Sequence, residues 1–364
     1  MTQTKRFSPT EAQEFLRCHR RWMWDYYFGW STRYVHPALV TGTGVHAALE
    51  EFYLTGNAST VPYDEHIAKS LSPGAMEELE MTTKAAERIE LAGRVLQEYF
   101  THVQESGCDA AWKVIATEFV ARVPIPLTDY ELQGQVDMLV QDVRNGRYWI
   151  VDHKTSADLY TNEQQRNLQF AGYWWMADQL FPELEIAGVI VNVLRMKMPS
   201  EPKLVPTGGA MSRDKSIMTT ARTYRMALER NGLSEDGYGE YIQWLRDNQK
   251  FFQRLEVPKG PHNRAVVAHN LEMVADQMDA CVKQERHMLG LPSDDWMCSY
   301  TCDFASPCEV VESGGSIDLF FGSSVVQSKG LQWRRERVAD VTRENARTWL
   351  QDAMDRAQIA QEGG

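Results

Sequence analysis

Apolar positions near the start of the chain recur at helical spacing. Phe15, Cys18, Trp22 and Tyr26 stand three and four residues apart, which predicts a helix with one face on a core. Ser8-Pro9-Thr10-Glu11 marks its start: a capping Ser, Pro at the first helical position, and Glu three residues after the cap. A second helix is expected from about Gly44, with His46, Leu49, Glu50 and Tyr53, and a charged one over 72–103. The pattern then turns to strands. Residues 112–120 read as a strand ending near Glu118, and 131–154 hold two apolar runs joined by Asn145-Gly146. Such a pair signals a hairpin, because both central residues accept positive φ. A helix over about 162–180 precedes 186–194, which is apolar almost throughout and reads as a buried strand. Residues 199–209 read as a loop, 213–253 as a polar helical stretch broken near Gly232 and Gly237, and 267–289 as another helix. A Gly- and Ser-rich segment at 313–324 leads to a charged amphipathic stretch at 332–360, loosely attached or partner-binding.

A chain of 364 residues can bury one large core, or a core with a helical insertion. Hydrophobic residues at 43% and charged residues at 24% are ordinary for a soluble protein. No apolar run nears the ~20 residues of a membrane span, and the N-terminus lacks a signal-peptide pattern, so a cytoplasmic location is expected. The net charge of −12 argues against a protein that coats DNA with broad positive surface. It leaves room for an enzyme that grips a few phosphates in one groove. Basic clusters stand at Arg17, Arg20 and Arg21, at Arg195 and Lys197, and at Arg222 and Arg225, and solvated helix faces explain them equally well.

The hairpin carries the chemistry. Asp137 ends its first apolar run, and Asp152-His153-Lys154 ends the second. Antiparallel pairing brings Asp137 and Asp152 to one region, where two carboxylates can hold a divalent cation. Lys154 lies two residues beyond Asp152 and therefore on the same side of its strand, while His153 alternates to the other. A hairpin with solvated charges is the bland alternative.

The neighbouring motifs make the pattern specific. Gly134-Gln-Val-Asp137 and Asp152-His-Lys154, with Gly44-Val-His46 upstream and Gln169-Phe-Ala-Gly-Tyr173 downstream, resemble the PD-(D/E)XK nuclease superfamily, in particular its RecB-like branch, over about residues 8–310. The resemblance implies an α/β fold: a central mixed sheet flanked by helices, a restriction-endonuclease-like core with helical insertions near 60–105 and 210–290. It implies one nuclease domain over 1–310, closed by a C-terminal cluster-binding region, with 311–364 as a tail. It also implies Mg2+ or Mn2+ held by His46, Asp137, Asp152 and the backbone carbonyl of His153. Lys154 would then act on the nucleophile or on developing charge, and Gln169 and Tyr173 would position the phosphate or Lys154. Glu118 is either an extra metal contact or, more in keeping with a strand end, a solvated acid.

The chain has six cysteines, and Cys298, Cys302 and Cys308 crowd together, which in a cytosolic chain favours metal or cluster ligation over disulfides. With Cys18 they resemble the iron–sulfur nucleases of the RecB-like branch, such as the AddB nuclease domain and the CRISPR adaptation exonucleases, which hold a four-iron four-sulfur cluster with one Cys before the core and three after it. The spacing departs from that pattern: three and then five intervening residues here, two and then five there. Structural zinc and unligated thiols are the alternatives, and Cys108 and Cys281 read as ordinary buried or half-buried residues. The implied activity is exonucleolytic hydrolysis of single-stranded DNA ends in recombination, repair or replication, in a phage or mobile-element setting among others, with recombination or replication proteins as partners and oligomer formation open. The alternatives are a structure-specific endonuclease with the same site and a non-catalytic DNA-binding protein that kept the fold.

Overall fold

Lys5–Phe7 forms β1, and Ser8 then caps α1 (Pro9–Arg17), its Oγ accepting from the Glu11 N–H at 3.0 Å. The structure is a computed structural model describing residues 5–31, 37–71, 83–206, 208–283, 298, 302–316, 327–328 and 340–362. The expected single helix through Tyr26 is broken at Cys18, whose backbone is extended (φ −155°, ψ 107°) and whose Sγ caps α2 (His19–Trp22) through the Arg21 N–H at 3.4 Å. A π-helical turn (Met23–Tyr27) and β2 (Trp30–Ser31) follow.

Next come α3 (Pro37–Thr55), α4 (Val61–Ser70) and α5 (Thr83–Ser106). α3 starts a full two turns before Gly44, and Gly44 is interior because α4 crosses there. A Cβ on it would lie 2.9 Å from Tyr63 Cδ2.

β3 (Trp112–Pro124), β4 (Tyr130–Asp142) and β5 (Tyr148–Ser156) are successive antiparallel strands of a six-stranded mixed sheet, with β3 at its edge. β3 runs well past the expected end at Glu118. The hairpin between β4 and β5 is present, but its turn is longer than a two-residue connection. Only Gly146 takes positive φ (76°), and the Asp142 carboxylate holds the loop through the Arg144 N–H at 3.0 Å. A 3₁₀ turn (Asn162–Arg166) and α6 (Leu168–Leu180) cross to β6 (Ile186–Arg195), which is parallel to β5. Within the expected polar helical stretch lie α7 (Ala221–Arg230), α8 (Gly239–Asp247) and, unexpectedly, the start of β7 (Phe252–Pro258), antiparallel to β6. β7 is an outer strand, and its Gln253, Arg254 and Glu256 masked the strand pattern. The region near 210–290 is therefore not wholly an insertion, because it supplies a strand of the central sheet.

α9 (Pro261–Lys283), α10 (Ala305–Glu312), β8 (Gln327–Ser328, paired with β2) and α11 (Ala346–Glu362) complete the chain. One face of the sheet packs on α1, α6, α9 and α11, and the other on α3, α4 and α5, each with its own apolar cluster. α11 is not loosely attached. Val341 bridges the outer edge of β3, Leu350 and Ala353 are buried, and Trp349 stacks on Phe181 at 5.6 Å. Residues 332–339 lie outside the described residues. This mixed open sheet between helical layers is the architecture expected from the sequence.

Candidate active site

Pleat alternation switches at Glu118, and the polar site forms there. Thr117 pairs with Met138, and Phe119 with Val136. Met138 joins the cluster under α3, whereas Phe119 and Val136 join the core under α6. Residues two apart should share a face, so the chain has switched sides between them. Glu118 is the residue in between, and its φ of +47° is rare for a non-glycine. Strained backbone of this sort costs about 1–3 kcal/mol and collects at functional positions.

The switch presents Glu118 and Asp137 to His46 on α3. His46 Nδ1 lies 3.5 Å from Asp137 Oδ2 and 3.7 Å from Glu118 Oε1. The other ring nitrogen, Nε2, stands 3.1 Å from the His153 carbonyl oxygen. A carbonyl only accepts, so Nε2 carries a proton, and the neutral ring would turn the Nδ1 lone pair toward the two carboxylates. The His153 N–H donates to Asp137 Oδ2 at 2.7 Å. The His153 backbone thus holds both residues, and its carbonyl, expected as a metal ligand, accepts from His46 through one of its two lone pairs.

Asp152 and Lys154 share the other side of β5, as their spacing requires. Lys154 Nζ is 2.6 Å from Asp152 Oδ2, and it lies 6.0 Å from the centre of the Phe170 ring on α6. Asp152 is 3% exposed, and its Oδ2 accepts no hydrogen bond beyond that ion pair. Gln169 and Tyr173 come from the same helix as Phe170. Gln169 Nε2 donates to Thr10 Oγ1 at 3.1 Å, and Gln169 also hydrogen-bonds the buried Tyr173 hydroxyl.

Electrostatics separates the two acids. Burial raises Asp152 to about 6, with Asp137 adding to the rise and Lys154 opposing it. Asp137 is buried too, but His46 outweighs that and holds it at about 2. Burial disfavours charge on His46, yet Asp137 and Glu118 raise it to about 10. Lys154 is likewise buried, and Asp152 and Asp137 push its pKa up, so it stays an ammonium. The His153 ring is kept neutral by burial, lowered to about 3.

Among the described residues, His46, Glu118 and Asp137 form the one set of three whose ligand atoms all lie within 4.8 Å of one another. Imidazole nitrogen and carboxylate oxygens suit Mg2+ or Mn2+. Asp152, close enough to Asp137 and His46 to feel their charge, is a further carboxylate beside them. The residues fit a divalent cation. Glu118, weighed from sequence as a solvated strand end, instead stands mid-strand in the donor set; nothing in its spacing could have announced a left-handed residue.

The four cysteines expected to act together do meet. Cys18, Cys298, Cys302 and Cys308 line one cavity of about 420 Å³ with Arg20, Arg21 and Trp24. Arg20 Nη1 donates to Cys308 Sγ at 3.1 Å. Cys108, read as buried or half-buried, is exposed. The other basic clusters are ion-paired: Arg17 with Glu14 (2.6 Å), Arg195 with Asp158 (2.6 Å), Arg222 with Glu98, and Arg225 with Glu105 (2.6 Å).

The chain matches the PD-(D/E)XK nuclease superfamily over residues 6–309, which is most of its length, and belongs to that superfamily. Membership makes it a metal-dependent nuclease with DNA as the implied substrate. No curated protein matches it. Among the described residues, no helix is long and apolar enough to cross a membrane.

Proposed function

We propose that this protein is a RecB-like exonuclease that digests DNA, preferentially single strands, from their ends. The observation that carries the reading is the convergence of His46, Glu118 and Asp137 beside the Asp152–Lys154 ion pair. His46, Asp137 and Asp152, joined by Glu118, are the residues that would hold the divalent cation. Such a cation supplies Lewis acidity toward the phosphate and lowers the pKa of a bound water. Lys154 remains charged in this setting, which favours stabilising negative charge on the phosphate over acting as a base. Gln169, tied to Thr10 and Tyr173, would orient the phosphate and keep Lys154 turned to it. The His153 side chain takes no part in the chemistry.

The thiols add the branch assignment. Tetrahedral zinc with Zn–S bonds of about 2.3 Å needs sulfurs about 3.8 Å apart. No three of the described thiols come within 4.8 Å of one another, wider than that zinc geometry, which supports reading the site as a four-iron four-sulfur cluster. Held by Cys18, Cys298, Cys302 and Cys308, it would join α2 to α10 across the core, and the long loop so closed makes it a strong staple.

With Mn2+, wild type should degrade a linear single-stranded oligonucleotide and leave a covalently closed circle intact. Asp152→Ala and Lys154→Ala should lose cleavage while keeping their circular dichroism. Cutting of the circle would make the enzyme an endonuclease, and unchanged activity in either variant would remove this site. Anaerobically purified protein should be brown and carry about four irons per chain, lost in Cys18→Ala. A colourless, zinc-containing protein would replace the cluster with structural zinc.

A further inference from the structure

A closed polar network reaches the site from the far edge of the sheet. Arg254 on β7, Asn192 on β6 and His153 on β5 occupy one row, paired in register across the three strands. The Arg254 guanidinium sits 5.4 Å from the ring centres of both Tyr99 and Trp112. It donates to Tyr99 Oη at 2.8 Å and to Asp109 Oδ2 at 2.9 Å, and through Nη1 to Asn192 Oδ1. Asn192 is fully buried (0% exposed), and its Nδ2 lies 2.8 Å from Tyr99 Oη and 2.8 Å from His153 Nδ1.

The donor and acceptor roles follow without freedom. Arg254 can only donate, so the Asn192 oxygen faces it and the Asn192 NH2 faces His153. His153 Nδ1 must therefore accept, which leaves its proton on Nε2. Tyr53, two turns along α3 from His46, stacks on the same imidazole at 5.6 Å and 14°. The ring is thereby fixed by hydrogen bond and by stacking. Its backbone is the one whose N–H holds Asp137 and whose carbonyl holds His46.

We propose that Asn192 and Arg254 are positioning residues for the cation site: by locking the His153 ring, they set the backbone groups that hold Asp137 and His46 in place. The inference rests on the proposed function, because it presumes that those two residues bind the cation. Asn192 and Arg254 reach Asp137 and His46 through His153. Partners of this kind, one shell out from the ligands, typically change metal affinity by about 10–100-fold.

The test is Mn2+ titration of the DNA-free protein by calorimetry, combined with 15N NMR of histidine-labelled protein. Wild type should bind Mn2+ with His46→Gln strongly impaired, and should show His153 protonated at Nε2. Asn192→Leu should bind Mn2+ about 10–100-fold more weakly with its fold intact by circular dichroism. In Asn192→Asp the His153 proton should move to Nδ1, since a carboxylate can only accept, and Mn2+ affinity should recover toward wild type. A folded Asn192→Leu with wild-type affinity overturns the positioning role and leaves the site standing. Wild type and His46→Gln binding alike would instead overturn the site itself. If Asn192→Leu does not fold, Arg254→Lys decides: the charge is kept but the fork is lost, so unchanged Mn2+ affinity counts against the proposal.

Discussion

His46 holds a proton at the position a cation would take, and the two compete. Its folded pKa of about 10 lies above the ordinary 6.5, so its ion pairs with Asp137 and Glu118 stabilise the cation-free fold fully below pH 6.5. That contribution is lost as pH rises through 10. Metal ligation requires a bare Nδ1, so Mn2+ binding at pH 8 should release about one proton. Calorimetry in buffers of differing ionisation enthalpy should read that release in wild type and none in His46→Gln; equal release would exclude His46 as a ligand. Asp152 runs the other way. Its pKa is raised from 3.8 to about 6, so ionising it costs the cation-free fold stability as pH climbs between those values. Asp152→Asn should therefore be more stable than wild type above pH 6 without metal, by urea unfolding, while losing cleavage. An equal or lower midpoint would show that Lys154 compensates the buried charge completely. The identities of Asp137, Asp152 and Lys154 as candidates were readable from the ends of two apolar runs. The separation of their charge states was not, because it depends on how deeply each is buried.

Among elements, the contact that aligns the site is α6 on β4. Gly134 lies under that helix. A Cβ there would stand 2.9 Å from Tyr173 Cε1, 3.0 Å from Met176 Cε and 3.2 Å from Pro9 Cδ. Gly134→Ala must push α6 away, and overpacking of this kind costs about 1–3 kcal/mol. Because Tyr173, Phe170 and Gln169 ride on the same helix, cleavage should fall by more than stability at working temperature accounts for. Full activity in the folded variant would show that α6 need not sit this close. Sequence placed α6, β6 and the hairpin well, since each has a local pattern of period 3.6 or 2. It ran α1 through Cys18, because the apolar stripe continues past a residue whose backbone is extended, and it lost β7 because a polar outer strand leaves no clear stripe.

At the scale of the whole molecule, the terminal segments are part of the core. β1 lies parallel to β4, and α11 covers β3 beside Phe119. Leu350 is 4% exposed, so Leu350→Ala should cost about 2–5 kcal/mol in chemical denaturation. A loss within the scatter of surface substitutions would mean that α11 docks too weakly to matter. Charge follows the same logic: Arg222 and Arg225 are ion-paired with Glu98 and Glu105 within the fold, which leaves less positive charge for a phosphate-binding surface.

Short-range chemistry was enough to reveal strands β3 to β6, the Ser8 cap, the hairpin and the acidic and basic residues at its ends, because side-chain period and turn preference are properties of neighbouring residues. Only the tertiary structure decided that Glu118 joins His46 and Asp137, and that the His153 carbonyl accepts from His46. Those outcomes depend on a left-handed residue inside a strand and on contacts between segments far apart in the chain, and neither leaves a local mark.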